Sequence, residues 1–284
     1  MSATALAPAP APSALGTKIR YTVSDGFVVA WRNLLGISRV PTVLVFELVQ
    51  PIMFVLLFRF VYENAFANIP GGNYVQFLMP GIFVQNAIFG STATAIGLAE
   101  DLKKGLLDRF RSLPMARSAV LVGRTTADLV KNFLLVVVMV VVGYVIGFRF
   151  EGSLLQTLGV ILLVVAVGFT FSWISATIGL AIKQVEAVQA AIFTLIFPIV
   201  FVSAAFVPVA GMSHILQPIA AHNPVTYWCD LARYLSLGDV GLLGPDGLPK
   251  YDSVAKLATY AIGWILLLLA IFIPLSIRLY RRLT

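Results

Sequence analysis

Glu47 is the one acidic residue that lies well inside a long apolar stretch, about two helical turns from its start at residue 41. An acidic side chain at such a depth in a membrane is a candidate for a functional role, as in a proton-coupled carrier. The alternative, which the sequence favours, is a structural role in which Glu47 reaches Arg39 or a polar neighbour near the membrane surface. Proton-coupled carriers usually place more acids at this depth.

Other residue patterns that perform chemistry are missing. The sequence contains no G-x-x-x-x-G-K-[ST] loop, no H-E-x-x-H pair and no G-x-S-x-G turn, which are the common motifs for binding phosphate, zinc and acyl groups. His214, His222 and the lone Cys229 are too few for a structural zinc site or an internal disulfide. We therefore expect a non-catalytic chain with no metal and no cofactor of its own.

The composition indicates a membrane protein. Of the 284 residues 59% are hydrophobic and 12% charged, and the mean hydropathy is +0.93. A soluble domain carries about 25% charged residues. The low charge therefore argues against a soluble enzyme, a disordered chain and a nucleic-acid-binding domain, and the net charge of +7 is better explained by basic loops beside a membrane.

Six apolar stretches are long enough to cross a bilayer, which takes ~20 helical residues. The predicted fold class is an all-α integral membrane protein with one six-helix domain over 41–284 and no second soluble domain. Residues 1–17 are rich in Ala and Pro, which is typical of a disordered tail. The six stretches are approximately 41–62, 75–98, 133–150, 154–182, 188–209 and 257–277, and the third could begin earlier, near Val120.

Lysine and arginine predict the orientation of these stretches. Fifteen of the 20 basic residues fall in segments that a six-span topology places on one side. By the positive-inside rule this side is the cytoplasm, and it holds both termini. The fifteen are Lys18, Arg20, Arg32, Arg39, Lys103, Lys104, Arg109, Arg111, Arg117, Arg124, Lys131, Lys183, Arg278, Arg281 and Arg282.

An amphipathic helix is predicted within residues 18–40, before the first stretch. Phe27, Trp31 and Leu34 share one helical face, whereas Asp25 and Arg32 lie on the opposite face. Such a helix lies in the membrane surface with its arginines toward anionic lipid. It is either a simple membrane anchor or also a contact for a cytoplasmic partner, and the residues alone leave both open.

A second amphipathic segment, 102–117, lies between the second and third stretches. Apolar residues recur at helical spacing, charged residues lie between them, and Pro114 ends the pattern. The segment is either an ordinary basic loop or a docking element that transmits force from a partner into two spans. The candidate coupling residues are Leu106, Leu107, Asp108, Arg109, Phe110 and Arg111.

Prolines and glycine interrupt the apolar sequence after the fifth stretch, which predicts two short helices at the outer surface. Non-helical backbone at membrane depth is tolerated where protein or a water-filled cavity surrounds it. We therefore expect a helical hairpin over 203–235 that packs against the bundle as an external gate. Its candidate gate residues are Phe206, Pro208, Pro218, Asn223 and Pro224.

Gln85, Asn86 and Phe89 add two amides and an aromatic ring to the second stretch. They are candidates for the lining of a substrate pathway. Small polar residues of the fourth stretch, such as Thr170 and Ser172, are better explained by helix packing.

Two segments resemble the ABC-2 type export permeases, specifically the daunorubicin/doxorubicin-resistance (DrrB-like) branch. They are GLLDRFRSLPMARSAVLVGRTTAD at 105–128 and FVSAAFVPVAGMSHILQPIAAHNPVTYWCDLARYL at 201–235. The resemblance implies a multi-pass subunit of the bacterial plasma membrane that pairs with a second permease copy or a sister permease. It also implies two cytoplasmic ABC ATPase subunits, which hold the ATP and Mg, and docking surfaces at Asp25–Arg39 and Leu102–Leu113.

The expected function is export of a hydrophobic drug, lipid or secondary metabolite, as in multidrug efflux and antibiotic resistance. One alternative with the same fold is export of a polysaccharide or another cell-envelope glycoconjugate. Another, from a different class, is a secondary carrier or membrane scaffold that works without an ATPase.

Overall fold

A computed structural model describes residues 41–62, 74–105, 119–242 and 250–283. These residues form α-helices and two short 3-10 helices, and no strand occurs among them. The predicted tail, the helix within 18–40 and the coupling residues Leu106–Arg111 lie outside the described residues. The α-helices are α1 (Pro41–Tyr62), α2 (Tyr74–Gly90), α3 (Thr92–Lys103), α4 (Ala119–Ile146), α5 (Leu154–Ile182), α6 (Val185–Phe201), α7 (Gln217–His222), α8 (Pro224–Leu237) and α9 (Val254–Leu283).

Four helical segments of the described chain are long and apolar enough to cross a membrane. They coincide with the second, third, fourth and sixth predicted stretches. Helix α1 matches the first predicted stretch and has 22 residues, and α6 is a shorter apolar helix of 17 residues. The four segments are Tyr74–Lys103, Gly123–Ile146, Leu154–Ile182 and Val254–Arg282.

Two boundaries differ most from the predicted stretches. The third helix begins at Ala119, as the earlier alternative allowed, because the charges within its first half are paired: Arg124 bonds Asp101 (2.7 Å) and Lys131 bonds Glu47 (3.1 Å). Charged residues that find partners can enter a helix interior that unpaired charges would disrupt. The fifth helix ends at Phe201 rather than near residue 209, where the chain turns into the segment before α7.

A break at Ser91 separates α2 from α3. The Thr94 N–H bonds to the Ser91 carbonyl (3.1 Å), one residue closer than an α-helix requires, and this leaves the Gly90 carbonyl without its usual partner. Lys131 Nζ takes that place and donates to the Gly90 oxygen (3.0 Å). A side chain of α4 therefore supports the interruption between α2 and α3.

Helix α5 lies at the centre and packs against α2, α3, α4, α6, α8 and α9. Its buried hydroxyls on Thr170, Ser172 and Thr177 donate to carbonyls four residues earlier in the same helix. Thr177 also bonds Ser276 of α9 (2.7 Å). These contacts agree with the packing role expected for the fourth stretch.

Close approach of α3 to α5 depends on Gly179. A Cβ at this position would lie 2.5 Å from the Ala95 carbonyl oxygen, which is backbone and does not move aside. A Cβ at Gly263 of α9 would meet nothing within 4 Å.

We expect Gly179→Ala to lower the free energy of unfolding by about 1–3 kcal/mol, as overpacked interiors generally do. Gly263→Ala is the matched control and should leave stability unchanged or slightly raised, because alanine favours helix over glycine. Heating in detergent with a fluorogenic maleimide measures both, since Cys229 is fully buried and burial raises the pKa of its thiol to about 12. Equal shifts for the two variants would contradict the close α3–α5 contact.

Candidate functional site

A cavity of about 490 Å³ opens between α1, α2, α3 and α6. Its walls bring together Glu47, Gln85, Asn86 and Phe89, which the sequence singled out in two separate stretches. The other lining residues have amide, hydroxyl or apolar side chains. They include Gln50, Pro51, Thr92, Ile96, Gln189, Ile192 and Phe193.

Helix α2 supplies the amide side of this cavity. Gln85 and Asn86 are 2% and 6% exposed, yet Gln85 Oε1 and Asn86 Nδ2 have no hydrogen-bond partner among the described residues. A buried polar atom left unpaired costs about 1–3 kcal/mol, so natural sites retain one where water or a ligand completes it. Two such atoms on one cavity wall favour the pathway interpretation over simple helix packing.

Glu47 is held by an ion pair inside the bundle. Lys131 Nζ donates to Glu47 Oε1 (3.1 Å), and the side chains are 4% and 23% exposed. The partner that the sequence proposed, Arg39, lies outside the described residues. The expectation that Glu47 is the one acid well inside a span is wrong, because Asp128 is buried in α4 and accepts a hydrogen bond from the Thr94 hydroxyl. The buried positions of Asp128 and Lys131 were not predicted, because the third predicted stretch began at 133 and left both residues in the preceding loop.

Lys131 therefore joins three helices at one point. It extends from α4, binds Glu47 of α1 and satisfies the carbonyl of Gly90 at the end of α2. An amine with two buried acceptors of this kind fixes the relative positions of the helices that carry them.

A stack of phenylalanine rings leads from the cavity toward the predicted gate. The ring centroids of Phe89 and Phe197 are 6.4 Å apart, those of Phe197 and Phe201 4.0 Å, and those of Phe201 and Phe206 4.9 Å. Phe58 of α1 stacks on Phe206 at 4.8 Å. The rings close the space between α1, α6 and the segment that follows α6.

The segment after α6 has the short helices that its prolines predicted. Pro208 precedes the 3-10 helix Val209–Gly211, Pro218 lies in the first turn of α7, and Pro224 begins α8. Asn223 connects these elements: its Nδ2 donates to the carbonyls of Ile199 and Val202 (2.6 Å each), and its Oδ1 accepts from the N–H of Val225. The gating role of these residues remains a prediction.

Arg233 of α8 is a buried anchor whose role the sequence analysis did not recognise. It is 1% exposed, and its guanidinium lies 3.7 Å above the Phe77 ring. The same group donates to the carbonyl oxygens of Phe77 (2.9 Å) and of Ala204. The arginine thereby ties α8 to α2 and to the turn after α6.

Asp230 pairs with Arg233 one turn earlier on the same helix (2.9 Å). It also accepts from Lys250 Nζ (3.2 Å) and from the Tyr251 hydroxyl (2.9 Å). Burial alone raises the pKa of Asp230, but Lys250, Arg233 and the Tyr251 hydrogen bond together hold it below the usual value. We call Asp230, Arg233, Lys250 and Tyr251 the outer lock. The D-x-x-R spacing of Asp230 and Arg233 in an apolar helix is the sequence feature from which this ion pair could have been predicted.

We expect Asp230→Asn to lower the free energy of unfolding by about 3 kcal/mol or more, because it leaves the buried Arg233 without its charged partner. Asp252→Asn is the matched control: this carboxylate is 82% exposed and pairs with Lys256, a surface contact that contributes little. Thermal unfolding followed by circular dichroism in detergent compares the two. A control that is destabilised as strongly as Asp230→Asn would contradict the outer lock.

Known proteins are similar to this chain over most of its length. The model of the ABC-2 type transporter family matches residues 26–237. The chain is 30% identical over 259 residues to the daunorubicin resistance ABC transporter permease protein DrrB1 of Streptomyces coeruleorubidus, covering 91% of this chain and 87% of that protein.

Two further relatives are similar over most of their length. The probable doxorubicin resistance ABC transporter permease protein DrrC of Mycobacterium tuberculosis is 30% identical over 197 residues, covering 67% of this chain and 69% of that protein. The putative transport permease ycf38 of Cyanophora paradoxa is 29% identical over 221 residues, covering 76% and 75%. The family match spans most of the chain and the resemblance seen in its sequence is confirmed: the chain is a multi-pass membrane permease that belongs to the ABC-2 type transporter family.

Proposed function

We propose that the chain is the transmembrane subunit of an ATP-driven exporter that moves a hydrophobic drug, lipid or secondary metabolite out of a bacterial cell. The observation that carries this proposal is the cavity that Gln85, Asn86 and Phe89 form with Glu47. Its volume of about 490 Å³ lies in the range of pockets for drug-sized ligands, ~300–1,000 Å³.

The wall of this cavity favours a hydrophobic substrate over a polysaccharide. Phe89, Ile96, Ile192 and Phe193 supply apolar surface, and amides are the main polar groups beside them. Apolar walls with few oriented polar groups suit a compact ring system, whereas a glycan needs many hydrogen bonds. Two of the relatives are named for daunorubicin or doxorubicin resistance, which supports the same class.

The proposed path runs outward from the cavity through the phenylalanine stack. Phe206 is 3% exposed at the end of this stack, and the Tyr74 hydroxyl bonds its carbonyl (2.9 Å). Opening would separate the rings of α1 and α6, while the outer lock keeps α8 tied to α2. In this proposal α7 and α8 dip into the membrane from outside and form the external gate.

The proposed topology has six spans with both termini in the cytoplasm. Besides the four long segments, α1 supplies 22 residues and α6 supplies 17 apolar residues, which approach the ~20 that a bilayer requires. A second permease, either a copy or a sister chain, would close the side of the cavity that α1 and α6 leave open.

Energy is supplied in this proposal by two separate ATPase subunits, which hold ATP and Mg. Their proposed contacts are Asp25 and Arg32 of the N-terminal segment and the stretch Leu106–Arg111, all outside the described residues. The described ends of that stretch support coupling, since it connects α3 directly to α4. Movement of the stretch would therefore act on the two helices that hold Gly97 against Arg124 and Thr94 against Asp128.

We expect co-expression with the partner ATPase to lower doxorubicin accumulation in cells, and Phe110→Ala to abolish that effect. Truncating a central aromatic anchor costs ~2 kcal/mol or more, equivalent to about 30-fold weaker docking. Co-purification of the ATPase measures docking, and Phe60→Ala on the 73% exposed ring of α1 is the control. Lower accumulation without any ATPase would support a secondary carrier instead.

We expect cysteine at Ser213 to react with an impermeant maleimide in intact cells and cysteine at Gln184 to remain unlabelled until the membrane is permeabilised. Both positions are exposed, one after α6 and one before it, so six spans place them on opposite sides. The experiment uses a Cys229→Ala background. Labelling of Gln184→Cys in intact cells would refute the proposed orientation.

A further inference from the structure

Glu47 is the one ionisable side chain among the described residues that line the cavity. Its Oε1 accepts the bond from Lys131, whereas its Oε2 is shielded from solvent and has no hydrogen-bond partner in the described part of the chain. Glu47 itself lines the cavity, and the last torsion of a glutamate has a broad energy profile, which leaves its carboxylate free to adjust to an occupant. A carboxylate oxygen held in this way is a strong acceptor for a charged donor.

A second carboxylate lies behind this wall. Among the described residues, Lys131 lies near both Glu47 and Asp128, and Arg124 is bonded to Asp101 (2.7 Å). Asp128 accepts a hydrogen bond from the Thr94 hydroxyl and is not among the lining residues of the cavity. Of the two carboxylates beside Lys131, Glu47 is therefore the one that an occupant of the cavity can meet.

The rest of the cavity wall also favours a cationic occupant over an anionic one. No lysine, arginine or histidine is among its described lining residues, and Lys131 behind the wall already donates to Glu47 and to the Gly90 carbonyl. The rings of Phe89 and Phe193 line the same space, and aromatic faces attract ammonium groups. An ammonium attached to an apolar body would therefore satisfy the carboxylate and the aromatic wall together.

We propose that the cavity binds cationic amphipathic compounds and that Glu47 recognises their ammonium group. This assignment rests on the proposed export function, because it concerns the same cavity. It adds a residue that selects substrates by charge, with Lys131 as the positioning residue that orients the carboxylate.

Binding of three pyrenes of matched size tests the proposal: 1-pyrenemethylamine, which is a cation at neutral pH, the uncharged 1-pyrenemethanol and the anion 1-pyrenecarboxylate. The full-length chain is reconstituted in nanodiscs of zwitterionic phosphatidylcholine, and equilibrium dialysis of tritiated ligands is corrected with empty nanodiscs. We expect the amine to bind about tenfold more tightly than the alcohol, equivalent to ~1.4 kcal/mol. The carboxylate should bind most weakly.

Three variants assign that preference to one carboxylate. Glu47→Gln keeps an acceptor for Lys131 and should bring the amine to the affinity of the alcohol, with binding of the alcohol unchanged. Glu47→Gln combined with Gln50→Glu returns a carboxylate to the cavity wall one turn away and should restore part of the preference. Glu186→Gln removes an 81% exposed acid of α6 outside the cavity and should bind all three ligands like the parent.

Equal affinities for amine and alcohol in the parent, or an unchanged preference in Glu47→Gln, would overturn the proposal, as would failure of all three pyrenes to bind. ATP-driven uptake of the alcohol and the amine into inverted vesicles, measured with the partner ATPase, separates this outcome from the export function. Equal uptake of both compounds, unaffected by Glu47→Gln, would leave export intact and refute charge selection.

Discussion

The architecture depends on how one ammonium group is accommodated inside the helix bundle. Lys131 is 4% exposed, and its acceptors are the Glu47 carboxylate and the Gly90 carbonyl, which belong to two other helices. A bilayer offers no water to replace either acceptor, so the three helices are held in one arrangement. In this arrangement the helix is interrupted at Ser91, and the cavity lies between α1, α2, α3 and α6.

Arg233 is a second buried cation that connects several helices, and it contacts the first turns of α2 whereas Lys131 contacts the end of α2. Arg233 binds the backbone of α2 and of the turn after α6, and Asp230 connects it to Lys250 and Tyr251. Between the two cations lies the phenylalanine stack, whose contacts are apolar and carry little directional preference. Rigid polar contacts at both ends and a stack of rings between them suit a pathway that opens in the middle.

Much of the fold could be predicted from the sequence, because the length of an apolar run is set directly by bilayer thickness. The first and fourth predicted stretches have the observed bounds, and Pro218 and Pro224 lie in the first turns of the short helices α7 and α8. The partners of buried charges could not be predicted. Lys131 and Asp128 look like loop residues until Glu47 and Thr94, distant in sequence, are brought beside them. The break at Ser91 was missed for the same reason, since a lysine of another helix supports it.

Substrate protection of single cysteines shows whether the exported compound binds in the cavity. In a Cys229→Ala background, cysteine replaces Gln189, which lines the cavity in α6, or Gln184, which is exposed just before α6 and lies outside the lining. The rate of maleimide labelling is measured with and without a compound that the assembled exporter transports. Binding in the cavity should slow labelling at 189 and leave the rate at 184 unchanged. Equal rates at 189 with and without the transported compound would mean that it binds elsewhere.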